Sequence, residues 1–479
     1  MPDRLGPLTT MRRSSRIWGG VAIAGGILIA GSAIIYATGP AGRSASDLNA
    51  EIKAARAEGL WTSWRDIPSA SSIPADQNAG PVYTAECSKI VTILGKDEKE
   101  FEAARDAVYF GAPTPTEIQT FSAGLAKLAP TLAVIESATA RPQCIFQRNW
   151  ELGTYVMFPE YGYAKSTVRL LATRAVLEAE HGEIEESTHS LLSAARLCRH
   201  IGDEPILISS LVEVANEAIL DRAMERIIDH HPTDLTLLSG VREAVVALGP
   251  PMSLRHALQA ELPMTLTAMD GLAKHPTDWN LMVSGSNEPP GSSVEPNLMG
   301  RLVAFGPVRD ALKVNLIQYW REIDRRLPQD SADYEKQSIV MKDMEQTLDA
   351  DKRWNSVLTK ISAPVFSQST DSLGKSLAIR RIRLAQISVL ISKAKTGKYP
   401  LKLDGKAADL IDPFGQQPLN YKRTLAGFKV YSIGADRVDD GGLVRSSNDS
   451  GTYDLVASYP APVRVQKRKG GIASGNFNP

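Results

Sequence analysis

Apolar positions recur at three- and four-residue spacing along most of the chain, and the pattern is strongest between residues 165 and 231. Such spacing places the apolar side chains on one face of an α-helix. Three stripes follow one another: Val168, Leu171 and Ala175, then Leu191, Ala194 and Cys198, then Leu207, Leu211 and Val214. Short Gly-containing breaks separate them. We therefore predict neighbouring helices that pack antiparallel, in an array resembling tetratricopeptide-type hairpins.

The same spacing predicts helices over much of the remaining chain. They cover residues 46–60, 96–110, 115–140, 234–248, 254–269, 301–327, 331–359 and 371–395. Two stretches without periodicity, residues 61–81 and 278–299, carry Pro, Ser and Gly and are predicted to be loops. The fold class is therefore mainly α.

The pattern changes at Gly397, where the sequence Gly-Lys-Tyr-Pro ends the last long helix. Short strand-like runs follow at residues 418–421 and 428–433, separated by Gly and Asp turns. A small α+β unit with short antiparallel strands is the prediction for this region.

Residues 17–36 form an uncharged apolar run near the N-terminus. At about 1.5 Å per residue, such a helix spans roughly 30 Å, the thickness of the bilayer hydrocarbon core. Arg12, Arg13 and Arg16 precede it, and basic flanks of this kind stay in the cytoplasm. A cleaved signal peptide is the alternative, but its apolar region is usually shorter, and Pro40 follows the best small-residue site. We expect an uncleaved anchor.

These patterns divide the chain into five parts and predict a single-pass cell-membrane protein whose C-terminal domain is extracytoplasmic, or periplasmic. The parts are a cytoplasmic basic tail (1–16), a transmembrane helix (17–38), a helical ectodomain (44–370), a C-terminal α+β unit (371–459) and a disordered tail (460–479).

Composition excludes some functions. Lys+Arg and Asp+Glu number 54 each, so the chain lacks the basic excess that a nucleic-acid binder needs. The only cysteines are Cys87, Cys144 and Cys198, too few for a disulfide scaffold. In an oxidising compartment Cys87 and Cys144 are the pair to test first, and three reduced thiols are the alternative.

An Asp-rich loop near the C-terminus carries Asp436, Asp439 and Asp440, with Asp454 further on. Calcium takes six to eight oxygen ligands, and these carboxylates with backbone carbonyls of a Gly-rich loop are a possible Ca²⁺ site. Their spacing does not match an EF-hand. A solvated Asp/Gly turn is the alternative.

Other candidate chemistry has simpler explanations. His181 lies among several glutamates, but Gly182 breaks the helix there, so the carboxylates need not share a face with it. His230 and His231 suit a helix C-terminus. The chain shows none of the familiar catalytic or phosphate-binding motifs, which lowers the expectation of an enzyme.

The C-terminal block resembles the C-terminal globular part of type II secretion major pseudopilins. The matching segments are Gly397-Lys398-Tyr399-Pro400, Asp412-Pro413-Phe414-Gly415, Pro418-Leu419-Asn420-Tyr421, Gly427-Phe428, Tyr431-Ser432-Ile433-Gly434-Ala435-Asp436 and Asp439-Asp440-Gly441-Gly442. In that family a helix packs on a small antiparallel sheet, and the Asp/Gly-rich loop can hold calcium. The peptidase site that precedes a pseudopilin membrane helix is missing here, so the resemblance does not extend to pilus assembly.

The ectodomain as a whole resembles uncharacterised membrane-anchored proteins of planctomycete-type bacteria. The matching features are Asn78-Ala79, Arg141-Pro142-Gln143-Cys144, Glu204-Pro205 and Leu207-Ile208, together with the C-terminal block. We expect a non-catalytic binding or scaffold protein with a protein or peptide partner. A component of a secretion or pilus-like envelope machine is the alternative, and a hydrolase with a site assembled from distant loops is a weaker one.

Overall fold

The computed structural model describes residues 41–275, 298–362, 366–443 and 454–461 of the chain. Within them the protein is mainly helical and has a three-stranded antiparallel sheet near its C-terminal end. This confirms the predicted fold class at its coarse level, while the tetratricopeptide-like repeat and the domain boundaries stay predictions. The predicted basic tail, the anchor, most of the loop 278–299 and the C-terminal tail from residue 462 lie outside the described residues.

The elements are numbered here in chain order. The helices are α1 (Ala41–Ala57), α2 (Gly80–Cys87), α3 (Lys89–Leu94), α4 (Glu98–Phe110), α5 (Pro115–Ala138), α6 (Pro159–Glu180), α7 (Ile184–Ile201), α8 (Leu207–His230), α9 (Leu235–Ala247), α10 (Leu254–Leu258), α11 (Glu261–Lys274), α12 (Leu298–Ala304), α13 (Gly306–Arg326), α14 (Tyr334–Ala350), α15 (Val357–Ser362) and α16 (Phe366–Thr396). The strands are β1 (Asn420–Arg423), β2 (Phe428–Ser432) and β3 (Leu455–Tyr459).

Helices α6 and α7 form the hairpin that the apolar stripes predict. Gly182, at a φ of 79°, makes the turn between them. The hydroxyl of Ser187 donates to the carbonyl of Ala175 at 2.8 Å, and Arg174 Nε donates to Ser190 Oγ at 2.9 Å. These contacts run in opposite chain directions, so the two helices are antiparallel.

The described residues form two large hydrophobic cores, and both include residues of α16. The first joins α2–α9 to the second half of α16 and to the sheet. The second joins α10–α14 to the first half of α16. Leu373 belongs to the second core and Ile387 to the first, so one helix runs through both.

Helix α1 packs alongside α13 and runs in the same direction. Arg321 bridges Glu51 and Glu58 of α1, and Arg325 also contacts Glu58 at 2.6 Å. The amide of Gln318 donates to Glu51 at 2.9 Å. The first helix after the predicted anchor is therefore part of the folded domain.

The sheet has the order β1-β2-β3, with Asn420 opposite Tyr431 and Phe428 opposite Tyr459. Phe428 and Val430 face α16, where the amide of Gln386 donates to the carbonyl of Ser458 at 3.3 Å. Sequence patterns indicated the first two strands within two residues. They missed β3, which follows the Asp-rich loop.

Helix α5 is the one helix of the described residues that is long and apolar enough to cross a membrane. Core packing accounts for one of its faces, because Phe121, Leu128 and Ile135 are buried against neighbouring helices. This finding is weak evidence for a membrane span, and it does not bear on residues 17–38.

All three cysteines are buried free thiols. No disulfide joins Cys87 to Cys144, the pair that the sequence suggested for a first test. Burial raises the pKa of Cys87 to about 12 and that of Cys144 well above its usual value. Both thiols are therefore un-ionised and unreactive near neutral pH.

Candidate functional site

Three segments that lie far apart in the chain meet in the interior, at Asn78, Arg141 and Asp203. Asn78 binds the main chain of Ile145 in both directions, donating to its carbonyl and accepting from its N–H, each at 2.9 Å. Arg141 donates to the carbonyl of Asn78 at 2.8 Å, and Cys144 N–H donates to Asp203 Oδ2 at 3.1 Å. Residues distant in the sequence thus form one connected polar network.

Arg148 and Glu204 form a buried ion pair within this network. Arg148 Nε and Nη2 donate to the Glu204 carboxylate at 2.7–3.0 Å, and both side chains are almost fully buried. Tyr161 donates to the same carboxylate at 2.5 Å. The guanidinium also lies over the rings of Phe146, Phe158 and Tyr161. Other groups in the interior therefore satisfy the charges and hydrogen-bonding groups of Arg148 and Glu204, and the aromatic rings add cation–π contacts.

His200 is bound by Tyr83 and by a main-chain carbonyl. Its Nδ1 lies 2.8 Å from the Tyr83 hydroxyl, and its Nε2 lies 2.9 Å from the carbonyl oxygen of Arg141. Burial lowers the pKa of His200 to about 4, while burial raises that of Asp203 to about 7. Both groups are therefore held in or near their neutral forms.

A second ionic cluster separates the two cores. Arg380 of α16 donates through Nε to Glu217 of α8 at 2.8 Å, and its Nη2 lies 3.4 Å from Glu213. The hydroxyl of Ser376 donates to Glu217. Burial and the neighbouring Glu217 raise the pKa of Glu213 well above its usual range. Gly202 leaves room for this carboxylate, because a Cβ there would lie 1.8 Å from Glu213 Oε2.

These clusters have the composition of an active site but lack access to solvent. Tyr83, Cys144, His200 and Glu204 are each at most 5% exposed. Their hydrogen bonds go to one another and to the main chain, and none of the cavities described below reaches them. The arrangement is suited to holding the fold together.

The histidines that were considered as candidates in the sequence lie on the surface and do not form part of a metal site among the described residues. His230 Nδ1 lies 3.6 Å from Glu180 on the surface, at the end of a helix. His181 directly follows the last residue of α6. Within the described residues, no group of three or more His, Cys, Asp or Glu side chains is placed to hold a metal ion.

The Asp-rich loop is described in part, since residues 444–453 fall outside the described ranges. Asp436 and Asp439 accept N–H groups from residues two positions later, at 3.2 and 2.8 Å. Asp454 Oδ2 accepts from Gly442 N–H at 2.7 Å, and its buried Oδ1 has no partner among the described residues. Burial raises the pKa of Asp454, and the charges of Asp439 and Asp440 raise it further. The calcium site at this loop stays a prediction.

The larger of the two cavities that we describe is a groove of about 560 Å³ between α13 and α14. It is lined by Asn315, Gln318, Tyr319, Glu322, Met344, Thr347, Leu348, Ala350, Asp351 and Arg353. Asn355 anchors the segment after α14, donating to the carbonyl of Ala311 at 3.2 Å. None of these lining residues is a histidine, so the groove offers no His–carboxylate pair for hydrolysis.

The smaller cavity, of about 140 Å³, lies on the other side of α13 beside Trp61 and Trp320. An ion pair between Arg255 and Asp324 lies in its wall. Its volume is enough for a single side chain of about the size of benzene but not for a peptide segment. We therefore take the groove between α13 and α14 as the candidate site.

No protein-family model, curated protein or solved structure matches this chain.

Proposed function

We propose that the protein is a membrane-anchored, extracytoplasmic binding protein without catalytic activity, and that the groove between α13 and α14 binds a peptide segment of its partner. The observation that carries this proposal is the lining of the groove, which offers amide, hydroxyl, guanidinium and aromatic groups and no nucleophile–base pair. A site of this kind recognises chain segments by shape and hydrogen bonds.

The buried networks support the same proposal. Arg148 with Glu204 and Arg380 with Glu217 link segments far apart in the chain. Because these groups are closed to solvent and bonded to one another, they hold the helices of the domain in fixed positions. A rigid frame reduces the ordering cost of binding.

An envelope machine component is the second candidate function. Several large apolar side chains of the C-terminal unit are exposed, above all Leu401 and Leu425. Exposed apolar groups of this kind suit a docking surface on another protein. The hydrolase alternative receives no support from the groove.

Photo-crosslinking in the native membrane tests the main proposal. A benzoylphenylalanine at Thr347, on the exposed rim of the groove, should capture a reproducible protein partner. The matched control is the same probe at Ala129, which is exposed on α5. Absence of a product at Thr347, or an identical product at both positions, would contradict peptide binding in the groove.

The same membranes test the second candidate. A Leu401→Asp, Leu425→Asp double variant should lose co-purifying secretion components if the C-terminal unit docks on such a machine. The Thr347 product should persist in this variant if the groove binds its partner independently. Loss of both would point to one shared partner at the C-terminal unit.

We also propose that the Asp-rich loop binds calcium, with Asp436, Asp439, Asp440 and Asp454 as ligands. The support is the buried Asp454 oxygen that lacks a partner among the described residues. The full chain should melt several degrees higher in millimolar calcium, and Asp454→Asn should abolish that shift. A melting temperature that calcium leaves unchanged would refute the site. The melting experiment uses the whole chain and not the C-terminal unit alone, because α16 and the sheet share a core with α6–α9.

A further inference from the structure

The groove between α13 and α14 combines an apolar floor with a polar rim. Met344 and Leu348 are nearly fully buried and form its floor. Gln318, Glu322 and Thr347 form its exposed rim. An occupant that fits both surfaces has a long aliphatic part and a polar end.

Tyr319 places an unsatisfied hydroxyl at the groove. Its oxygen is buried and has no hydrogen-bond partner among the described residues. Burial raises the pKa of Tyr319, and the negative charges of Glu345 and Asp349 raise it further. The hydroxyl therefore stays protonated, in a negative environment, and its oxygen is free to accept a hydrogen bond from a cation.

Four carboxylates lie in or beside the groove. The carboxylates are those of Glu322, Glu345, Asp349 and Asp351. Asp349 has no side-chain partner in the described part of the chain, and Glu322 meets only Arg325, at 3.9 Å.

The basic side chains near the groove already bind other groups. Arg326 is bound to Asp343 at 2.7 Å, and its Nη1 lies 3.3 Å from Met344 Sδ. Arg325 is bound to Glu58 at 2.6 Å.

Arg353 is bound by Asp351, with hydrogen bonds of 2.8–3.0 Å from Nε and Nη2. Lys360 Nζ donates to the main-chain carbonyls of Asp349 and Asp351, beyond the C-terminal end of α14. That end also carries the negative pole of the helix dipole. Among the described residues, the carboxylates at the groove that have no ion-pair partner are therefore those of Glu345 and Asp349.

We propose that the groove binds its partner through a lysine or arginine side chain, a conclusion that depends on the peptide-binding function proposed above. The aliphatic stem lies over Met344 and Leu348, and the cationic end meets Glu322, Asp349 and the Tyr319 hydroxyl. The ring of Tyr319 adds a cation–π contact. The partner is thus a protein segment with an exposed basic side chain between small or apolar residues.

Three labelled peptides test this inference on the full chain in detergent. They share a nine-residue Ala/Val/Ser sequence and differ at the central residue, which is Lys, norleucine or Glu. Fluorescence anisotropy should show at least tenfold tighter binding of the Lys peptide than of the norleucine peptide. Added salt should weaken the Lys peptide alone. Equal affinities for Lys and norleucine would overturn the inference.

Single variants locate the effect. Glu322→Gln and Asp349→Asn should each weaken the Lys peptide several-fold and leave the norleucine peptide unchanged. Tyr319→Phe, which keeps the ring, should also weaken the Lys peptide. Glu185→Gln on the exposed surface of α7 is the matched control and should have no effect. If Glu185→Gln weakens binding as much, the interaction is nonspecific and the inference fails.

Crosslinking separates this inference from the proposed function. If the Thr347 probe captures segments without Lys or Arg, the groove binds peptides but the basic side chain is refuted. If it captures nothing, the binding function itself fails. If deleting residues 462–479, which contain Arg464, Lys467, Arg468 and Lys469, tightens the Lys peptide several-fold, the chain's own tail is the occupant and an external partner is refuted.

Discussion

Arg148 is a charged side chain kept almost entirely out of water by Glu204, Tyr161 and three aromatic rings. Moving a guanidinium and a carboxylate into the interior is costly, and their attraction offsets that cost only when the geometry is good and the other hydrogen-bonding groups are satisfied. At this scale the fold depends on pairs. Removing Glu204 leaves two of the three guanidinium nitrogens of Arg148 buried without a partner, and only Nη1 keeps its bonds to Glu160 and to the carbonyl of Met157.

Replacing one member of this pair should therefore be more damaging than replacing both. We expect Glu204→Gln to lower the free energy of unfolding by about 3–5 kcal/mol and an Arg148→Met, Glu204→Leu double variant to lower it less. Urea denaturation followed by circular dichroism measures both. Glu86→Gln, which breaks a solvent-exposed pair with Lys89, is the control and should cost at most about 1 kcal/mol. A double variant worse than the single one would contradict the argument.

Asp203 and Glu261 make stability depend on pH. Burial raises the pKa of each to about 7, whereas an unfolded carboxyl titrates near 4. Between these values the folded state holds more protons, so the free energy of unfolding falls as pH rises, by at most about 1.4 kcal/mol per pH unit and group. Above pH 7 both states are deprotonated and the slope disappears.

Asp203→Asn removes one of these titrations. Its stability relative to the native sequence should rise from pH 5 to pH 7 and then level off. His200 also affects the pH dependence, because its lowered pKa makes the free energy of unfolding rise with pH below pH 6.5. Both proteins contain His200, so its contribution cancels when the stability of one is subtracted from that of the other. Denaturation series from pH 5 to pH 8 measure this difference. A difference that does not change with pH would show that Asp203 is ionised in the fold.

Helix packing sets the next scale, and α5 illustrates it at Gly124. Glycine inside a helix is usually worse than alanine by about 1 kcal/mol. Here the position faces the ring of Phe101, and a Cβ would lie 2.1 Å from its nearest atom. Close packing of α4 on α5 therefore requires the glycine.

A Gly→Ala substitution should change the stability of the protein in opposite directions in α5 and in α6. We expect Gly124→Ala to destabilise the protein by about 1–3 kcal/mol, because Phe101 must move. Gly162→Ala is the matched control. Position 162 is exposed, and a Cβ there would meet nothing within 4 Å, so this substitution should stabilise the protein by about 0.5–1 kcal/mol. Thermal melting of both variants tests the pair, and stabilisation by Gly124→Ala would disprove the contact.

Helices were predictable where their signals were local. The Thr114–Glu117 capping box with Pro115 begins α5 where the sequence indicates, and Asp234 caps α9. Strand β3 was missed because its pairing with β2 is set by contacts across the Asp-rich loop.

The candidate site was less predictable than the elements. The sequence patterns pointed to none of the residues that line the groove. Asn315, Tyr319 and Arg353 meet only because α13, α14 and the following turn pack together. The spacing of these residues in the sequence does not predict that they lie close together. Likewise Arg380 and Glu217 lie 163 positions apart, so no local pattern reveals their pairing.

Across the whole molecule, α16 ties the two cores together. Its first half lies in one core and its second half in the other, with Arg380 bound to α8 between them. This helix is about 46 Å long and packs in both cores. Unfolding of one core therefore removes part of the packing that stabilises the other. The two cores should therefore unfold together.

A single transition is the expected result. Fluorescence of a variant in which Trp320 is kept and the other six tryptophans are replaced by phenylalanine reports the second core. It should give the same urea midpoint as far-UV circular dichroism of that variant, which reports all helices. Midpoints that separate by more than experimental error would show that the cores are independent units.

If the predicted anchor crosses a membrane, the packing of α1 on α13 limits how far the groove can lie from that membrane. With the predicted span ending at residue 38, two residues precede Ala41, and they extend at most about 7 Å. Glu51 lies about 15 Å along α1 and is bonded to Gln318 at the groove. A partner must therefore offer its chain within roughly 25 Å of the bilayer. A partner in the same membrane meets that condition by diffusing in two dimensions, at a local concentration far above its bulk value.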